Sequence, residues 1–158
     1  MATLAGIRNS MNPISLDHPN IARVLFHPQP LFGPVYSNST VRLVDVEVEP
    51  GLSLGGRLYP TEEDSPALLY FHGNGEIAAN YDDVAPLYRC LEITLLVMDY
   101  RCYGRSGGQA SAANLLSDAL AYARAAPALL HENGLVPPRV EPLVEYHCQC
   151  ADVALYAW

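Results

Sequence analysis

Residues 68–75 read LLYFHGNG, an uncharged apolar run that ends abruptly in a histidine and two glycines. Such a run is typical of a buried strand whose carboxyl end opens into a tight loop. A second unit follows, in which the apolar run ITLLVM at residues 93–98 leads into DYRCYGRSGG at residues 99–108. The segment between the two units has helical spacing. This order predicts an α/β fold with a mainly parallel sheet that binds its ligands at the carboxyl ends of its strands.

Two antiparallel strands are predicted before this stretch. Residues 41–49 alternate between valines and acidic residues, which is the pattern of a half-buried strand. After the turn at Pro50-Gly51, the leucines Leu52, Leu54 and Leu58 again occupy every second position. We therefore expect an antiparallel hairpin at one edge of the sheet.

Two helices are predicted on either side of the second strand. The first has apolar residues at helical spacing, Val84, Leu87, Tyr88 and Leu91, with Pro86 near its first turn. The second begins after Ser111, a good N-cap residue, and is expected to bend or stop at Pro127. Its expected buried stripe consists of Leu115, Leu116, Ala119, Leu120 and Ala123.

Composition and charge exclude several classes of partner. Of 158 residues, 50% are hydrophobic and the net charge is -8, so the chain can bury a core but lacks the clustered lysines and arginines of nucleic-acid or anionic-membrane binders. The apolar runs are too short to span a bilayer and no secretion signal is visible, so a soluble cytoplasmic protein is expected. The four cysteines show no disulfide framework, and free thiols are expected.

The two glycine loops carry a family resemblance. The paired motifs, His72-Gly73-Asn74-Gly75 and Asp99-Tyr100-Arg101 with Tyr103, Gly104, Ser106 and Gly108, resemble the α/β-hydrolase superfamily, closest to its serine esterase, thioesterase and serine-aminopeptidase-like branches. The resemblance runs from about Val41 to about Gly134. It implies a Ser-His-Asp hydrolase acting on a small acyl substrate with an ester, thioester or amide bond, without a cofactor. A nucleotide-binding domain is a distant alternative, because the glycines lack G-x-G-x-x-G spacing.

The first loop is the expected oxyanion loop. Its glycines allow the backbone to approach a ligand closely, and acyl transfer needs backbone N–H donors where negative charge develops. In the family, this loop supplies one oxyanion-hole N–H. The resemblance carries that donor to the backbone of Asn74, with His72, Gly73 and Gly75 forming the loop. For His72 we favour a bracing role over general-base catalysis, because the catalytic His of this fold comes last in the chain.

The second loop has two interpretations. Its residues form either a wall of the active site or a rigid turn held by hydrogen bonds, and the rigid turn is favoured. The wall candidates are Asp99, Tyr100, Arg101, Tyr103 and Gly104. Cys102 stands where relatives usually have Gly. If this position needs a positive φ, the Cβ of Cys102 costs on the order of 1 kcal/mol of stability. Its thiol has no activating neighbour in sequence except Arg101.

Residues 104–108 match the nucleophile pattern Gly-x-Ser-x-Gly letter for letter. That pattern has meaning only where the serine lies in a sharp turn directly between a strand and a helix. Here the strand ends at Met98, well before Ser106, and the next helix begins near Ser111. We therefore expect no catalytic role for Ser106 and identify no other nucleophile.

The carboxyl-terminal residues depart from the family pattern. Neither a second Gly-x-Ser-x-Gly nor the acid and His of a triad follows Gly134, so we expect the fold to be truncated before its nucleophile elbow. The expected organisation is a lead-in over residues 1–40, the N-terminal part of the domain over 41–134 and a divergent tail over 135–158. His147, Cys148 and Cys150 are too close together to complete a tetrahedral zinc site, and no metal site is predicted.

The missing strand has an expected consequence. In the family, the nucleophile strand lies beside the strand at residues 67–71, which would otherwise become an apolar edge with unpaired backbone groups. Such an edge favours self-association. The alternative to a hydrolase part is thus a non-catalytic binding or regulatory module that uses this edge.

Overall fold

A computed structural model describes residues 18–32 and 36–144. These residues form one five-stranded sheet with helices on both faces. In chain order the elements are α1 (Pro19–Leu25), β1 (Arg42–Glu49), β2 (Leu52–Tyr59), β3 (Ala67–Phe71), a 3-10 helix (Ala78–Asp82), α2 (Ala85–Cys90), β4 (Thr94–Met98), α3 (Ala112–Glu132) and β5 (Val140–Val144). The strand order in the sheet is β1-β2-β4-β3-β5. The α/β class and the mainly parallel arrangement after an initial hairpin are confirmed.

The predicted hairpin lies at the edge of the sheet. Strands β1 and β2 pair antiparallel, and β2 continues antiparallel onto β4. Val44 and Val46 are buried while the intervening Asp45 is exposed, so β1 has one wet face as its alternation predicts. Gly51 makes the turn with φ +78°, a conformation that residues other than glycine rarely adopt.

The parallel pair β3 and β4 forms the centre of the sheet. Their register matches Ala67 with Thr94 and Phe71 with Met98, so both strands end at the same edge of the sheet. One face packs against α3 and the other against the 3-10 helix and α2. Every residue of β4 is buried, because both of its faces are covered. The loops after β3 and β4 therefore leave the core side by side.

The helices agree only partly with their predictions. Ser111 caps α3 as expected, its side chain accepting a 3.1 Å hydrogen bond from the N–H of Asn114. Pro127 does not end the helix, which continues to Glu132, because the residues around the exposed proline are anchored in the core. The buried stripe is also displaced: Leu116 is exposed, and the core residues are Asp118, Ala119, Tyr122, Ala126, Leu129 and Leu130. Among the described residues, no helix is long and apolar enough to cross a bilayer.

The prediction that β3 forms an exposed edge is wrong. Strand β5 pairs with it in parallel over five residues, from Ala67 opposite Val140 to Phe71 opposite Val144. The prolines that suggested a break do not prevent this pairing, because Pro142 lies in a strand at the sheet's edge, where a missing N–H is tolerated. Part of the expected tail, residues 140–144, thus belongs to the sheet.

Candidate active-site loops

The loops after β3 and β4 contact each other directly at the carboxyl ends of their strands. The hydroxyl of Tyr100 donates a 2.9 Å hydrogen bond to the carbonyl oxygen of His72. The rings of these two residues meet edge to face with centroids 4.5 Å apart, and the Tyr103 ring lies 5.6 Å from His72. Burial raises the pKa of Tyr100, and the neighbouring Tyr103 raises it further. Tyr100 therefore acts here as a neutral hydrogen-bond donor.

The first loop is closed by an internal turn. The N–H of Gly73 donates to the Glu76 carboxylate at 3.1 Å, and the N–H of Glu76 returns to the carbonyl of Gly73 at 3.2 Å. Tyr81 fixes the same carboxylate with a 2.7 Å hydrogen bond from its hydroxyl. Gly75 adopts φ +84°, which only glycine adopts readily. The Gly73 N–H is thus already occupied and does not face a ligand.

The backbone N–H of Asn74 differs from that of Gly73 in its hydrogen bonding. It donates no hydrogen bond to any described residue, although the N–H groups on both sides of the turn, at Gly73 and Glu76, are paired. Asn74 is half-buried, at the carboxyl end of a parallel strand. A backbone donor left unpaired beside a rigid, partly covered loop is suited to an anion or a carbonyl oxygen.

His72 is enclosed within the loop. Its side chain is fully buried. Its Nδ1 lies 2.9 Å from the carbonyl oxygen of Gly73, which requires a hydrogen on that nitrogen, and its Nε2 lies 3.4 Å from Oδ1 of Asp99. A ring closed off in this way has no access to a substrate proton. The bracing role expected for His72 stays a prediction.

Asp99 is held beneath the second loop. Its Oδ1 accepts a 2.7 Å hydrogen bond from the N–H of Ala78, which ties the β4 loop to the 3-10 helix. Gly104 passes so close that an added Cβ would lie 2.0 Å from the Asp99 carboxylate. Cys102 adopts φ +67°, so the condition under which its Cβ carries a cost is met. These contacts describe a rigid turn, and the wall assignment stays a prediction.

Arg101 points away from the first loop. Its guanidinium binds Asp118 of α3 through two hydrogen bonds of 2.7 and 2.8 Å, and Glu49 of β1 through a third of 2.7 Å. The hydrogen bonds that Arg101 donates to Asp118 are the largest cause of the raised pKa of Arg101. Arg101 and Asp118 are both buried, so this ion pair ties the β4 loop to elements on either side of it.

The hydroxyl of Ser106 is hydrogen-bonded to the backbone of neighbouring segments. Its hydroxyl accepts a 2.9 Å hydrogen bond from the N–H of Gly55 and donates a 3.1 Å hydrogen bond to the carbonyl of Asp99. Both partners are backbone groups, and no histidine is hydrogen-bonded to this hydroxyl among the described residues. That Ser106 is not a nucleophile stays a prediction.

Sequence reasoning missed a third segment at these loops. Residues 25–31, here called the crossing segment, leave α1 and run over both loops. Gly104 donates to the carbonyl of Gln29 at 2.8 Å, and Leu31 donates to the carbonyl of Gly104 at 3.0 Å. The prolines at 28 and 30 indicated an extended chain, but no residue pattern indicated where that chain would lie.

The described residues form no cluster suited to a metal ion. The cysteines Cys90 and Cys102 are free and exposed, as expected. Cys148, Cys150 and His147 lie outside the described residues. A shallow cleft of about 10 Å³ between the β4 loop and α3 has room for about one water molecule, so an acyl chain does not fit there.

The arrangement of these strands is shared with solved esterases. An esterase from the archaeon Pyrobaculum calidifontis superposes with a TM-score of 0.53 over 68% of this chain and 34% of its own, at 18% sequence identity. The Pyrococcus furiosus esterase Pf2001 gives a TM-score of 0.55 over 76% of this chain and 46% of its own, at 15% identity. The chain carries part of an α/β-hydrolase fold.

Sequence comparison also finds curated relatives of part of the chain. An uncharacterised protein of Mycobacterium tuberculosis, Rv2307c, is 34% identical over 105 residues, which cover 63% of this chain. The match covers 37% of that protein, so the chain spans little more than a third of the length of the curated relatives it matches. No protein-family model matches the chain.

Proposed function

We propose that the chain is the oxyanion-loop part of a serine hydrolase that acts on an ester, thioester or amide bond of a small acyl substrate. The observation that carries this proposal is the backbone N–H of Asn74 at the carboxyl end of β3, which has no partner among the described residues and lies beside a Gly73 N–H that is already occupied. The solved esterases that share the fold support the same class of reaction.

In this proposal, Asn74 donates to the oxygen of the substrate carbonyl as negative charge develops there. In the same proposal, the nucleophile, its His and its acid come from outside the residues that carry the resemblance, because the Ser106 hydroxyl is hydrogen-bonded to two backbone groups and is not assigned as the nucleophile. The chemistry needs no metal or cofactor. A cytoplasmic location belongs to the proposal, as does the absence of a nucleic-acid partner.

Fluorophosphonate labelling tests whether this chain is catalytically incomplete. These reagents modify only activated serines, so the purified chain should show no mass increase, and Ser106→Ala should behave identically. Rv2307c, of which the match covers only 37%, is the comparison protein. It should react with one equivalent of the fluorophosphonate. A stoichiometric adduct on Ser106 of this chain would contradict the assignment, and an unlabelled Rv2307c would argue against serine hydrolysis in these relatives.

A second candidate function is a non-catalytic module that pairs through the sheet edge. Strand β5 is the last strand of the described sheet, and Glu141, Pro142 and Leu143 are all exposed. An edge strand presents unpaired backbone groups to a second copy, although the charge of Glu141 and the missing N–H of Pro142 weaken such pairing. Sedimentation equilibrium tests it: a dimer that Leu143→Lys converts to a monomer supports the module, and a monomeric parent chain rules out self-association.

A further inference from the structure

The side chain of Asn74 is held by residues far away in sequence. Its Oδ1 accepts hydrogen bonds from the N–H of His27 at 3.0 Å and from the hydroxyl of Tyr103 at 2.8 Å. Its Nδ2 donates to the carbonyl of Leu25 at 2.8 Å and lies 3.0 Å from Nδ1 of His27. The amide thus has a partner at each of its donor and acceptor sites. The reversed amide would place its oxygen against the Leu25 carbonyl, so the orientation is fixed.

Tyr103 is itself fixed in place. The residue is 1% exposed, and its ring packs against His72 and Tyr100. Its hydroxyl lies 2.9 Å from the N–H of His27, so it contacts the crossing segment as well as Asn74. A buried ring held on two sides presents its hydroxyl at a defined point, and the Asn74 amide is bound at that point.

The crossing segment is anchored independently of Asn74. Its hydrogen bonds to Gly104 run in both directions, from Gly104 to Gln29 and from Leu31 to Gly104. Both supports of the Asn74 amide, Tyr103 and the crossing segment, are therefore fixed to the loop after β4. Within the first loop, Gly73 has its own anchor at Glu76.

We propose that Tyr103 and the crossing segment are positioning elements that fix the backbone N–H of Asn74 in the direction of the reacting carbonyl. This inference rests on the proposed oxyanion role of Asn74. These hydrogen bonds are made by the side chain of Asn74 and hold the residue in place, while the Gly73 carbonyl, in the same peptide group as the Asn74 N–H, accepts from the N–H of Glu76. The Asn74 N–H itself has no partner among the described residues. Preorganised donors of this kind lose little free energy to reorganisation when charge develops.

Backbone ¹⁵N relaxation of the labelled full chain tests the positioning. In the parent, the order parameters of the Asn74 and Gly75 amides should be near 0.85, the value of rigid backbone. Tyr103→Phe keeps the buried ring but removes the hydroxyl, and both values should fall toward about 0.6 while that of Gly73 is unchanged. Tyr36→Phe is the matched control, because the Tyr36 hydroxyl binds Asp82 instead. This control should leave the order parameters of all three amides unchanged.

Asn74→Ala is the second variant, and its partly exposed position makes misfolding less of a concern. It removes the whole amide and should lower the order parameter of residue 74 at least as far as Tyr103→Phe does. Unchanged order parameters in folded Tyr103→Phe, or in Asn74→Ala if the first variant does not fold, would overturn the positioning. Titration of the parent with methylphosphonate tests the oxyanion role separately: an unresponsive Asn74 amide would contradict that role, while the relaxation data still decide the positioning.

Discussion

The hydroxyl of Tyr103 and the side-chain oxygen of Asn74 are 2.8 Å apart and hydrogen-bonded. This contact joins the two glycine loops, which lie in separate strand–loop units of the sequence. It exists because β3 and β4 are parallel neighbours in register, so that their loops leave the sheet at the same edge. The fold thus places a residue of the second motif at the proposed donor of the first.

Gly104→Ala should destabilise the chain strongly. The new Cβ would lie 2.0 Å from the Asp99 carboxylate, and the backbone there has φ +53°. We expect a loss of more than about 2 kcal/mol in the free energy of unfolding, measured by urea denaturation. Gly51→Ala is the matched control, since Gly51 also has a positive φ but has no atom within 4 Å of an added Cβ. It should cost only about 1 kcal/mol, and equal losses would contradict the close packing at Asp99.

Asp118→Asn should break the buried ion pair of Arg101. The two side chains are 4% and 7% exposed, and the variant leaves the buried guanidinium with only the exposed carboxylate of Glu49. Removing one partner of such a pair costs about 3–5 kcal/mol of stability. Glu49→Gln affects the same guanidinium through an exposed carboxylate and should cost less than about 1 kcal/mol. Urea midpoints in the reverse order would show that Glu49, not Asp118, is the principal partner.

The chain should lose stability above pH 10. Burial raises the pKa values of Tyr59, Tyr100 and Tyr122 in the folded chain, whereas an unfolded tyrosine titrates near pH 10. These tyrosines stabilise the folded chain fully below pH 10. As the pH rises further, the unfolded chain releases their protons first, so each lowers the free energy of unfolding by up to about 1.4 kcal/mol per pH unit.

Urea midpoints between pH 9 and pH 12 measure this slope. Tyr100→Phe removes one of these three tyrosine hydroxyls. The free energy of unfolding should then fall less steeply with pH, by the contribution of one tyrosine. Tyr36→Phe, which changes an exposed tyrosine, is the comparison variant. A midpoint that does not change up to pH 12 would mean that the three phenols titrate alike in the folded and unfolded chains.

Local patterns were sufficient to predict much of the fold. The valine alternation in β1, the uncharged runs of β3 and β4 and the Ser111 cap all have causes within a few residues, and each predicted element is present. The glycine loops were placed correctly at the carboxyl ends of their strands. The structural role of His72, whose side chain is fully buried, stays a prediction.

Contacts between distant segments could not be predicted in the same way. Strand β5 contains Pro142 and exposed residues, and only its pairing with β3 makes it a strand. Pro127 remains helical because neighbouring turns of α3 are buried. The crossing segment reaches the loops through its own backbone groups, which leave no signal in the side-chain pattern. The contacts of Tyr103 and the crossing segment with Asn74 could therefore not be predicted from the sequence, although Asn74 itself was predicted as a site residue.

The most direct test of the central claim is a ¹H–¹⁵N titration of the labelled chain with methylphosphonate, a tetrahedral oxyanion mimic. We expect a saturable downfield shift of the Asn74 amide proton at millimolar concentration, with the Gly73 amide unchanged because the Glu76 carboxylate occupies it. A shift confined to Gly73, or no shift at Asn74 up to the solubility limit, would contradict an oxyanion donor at Asn74.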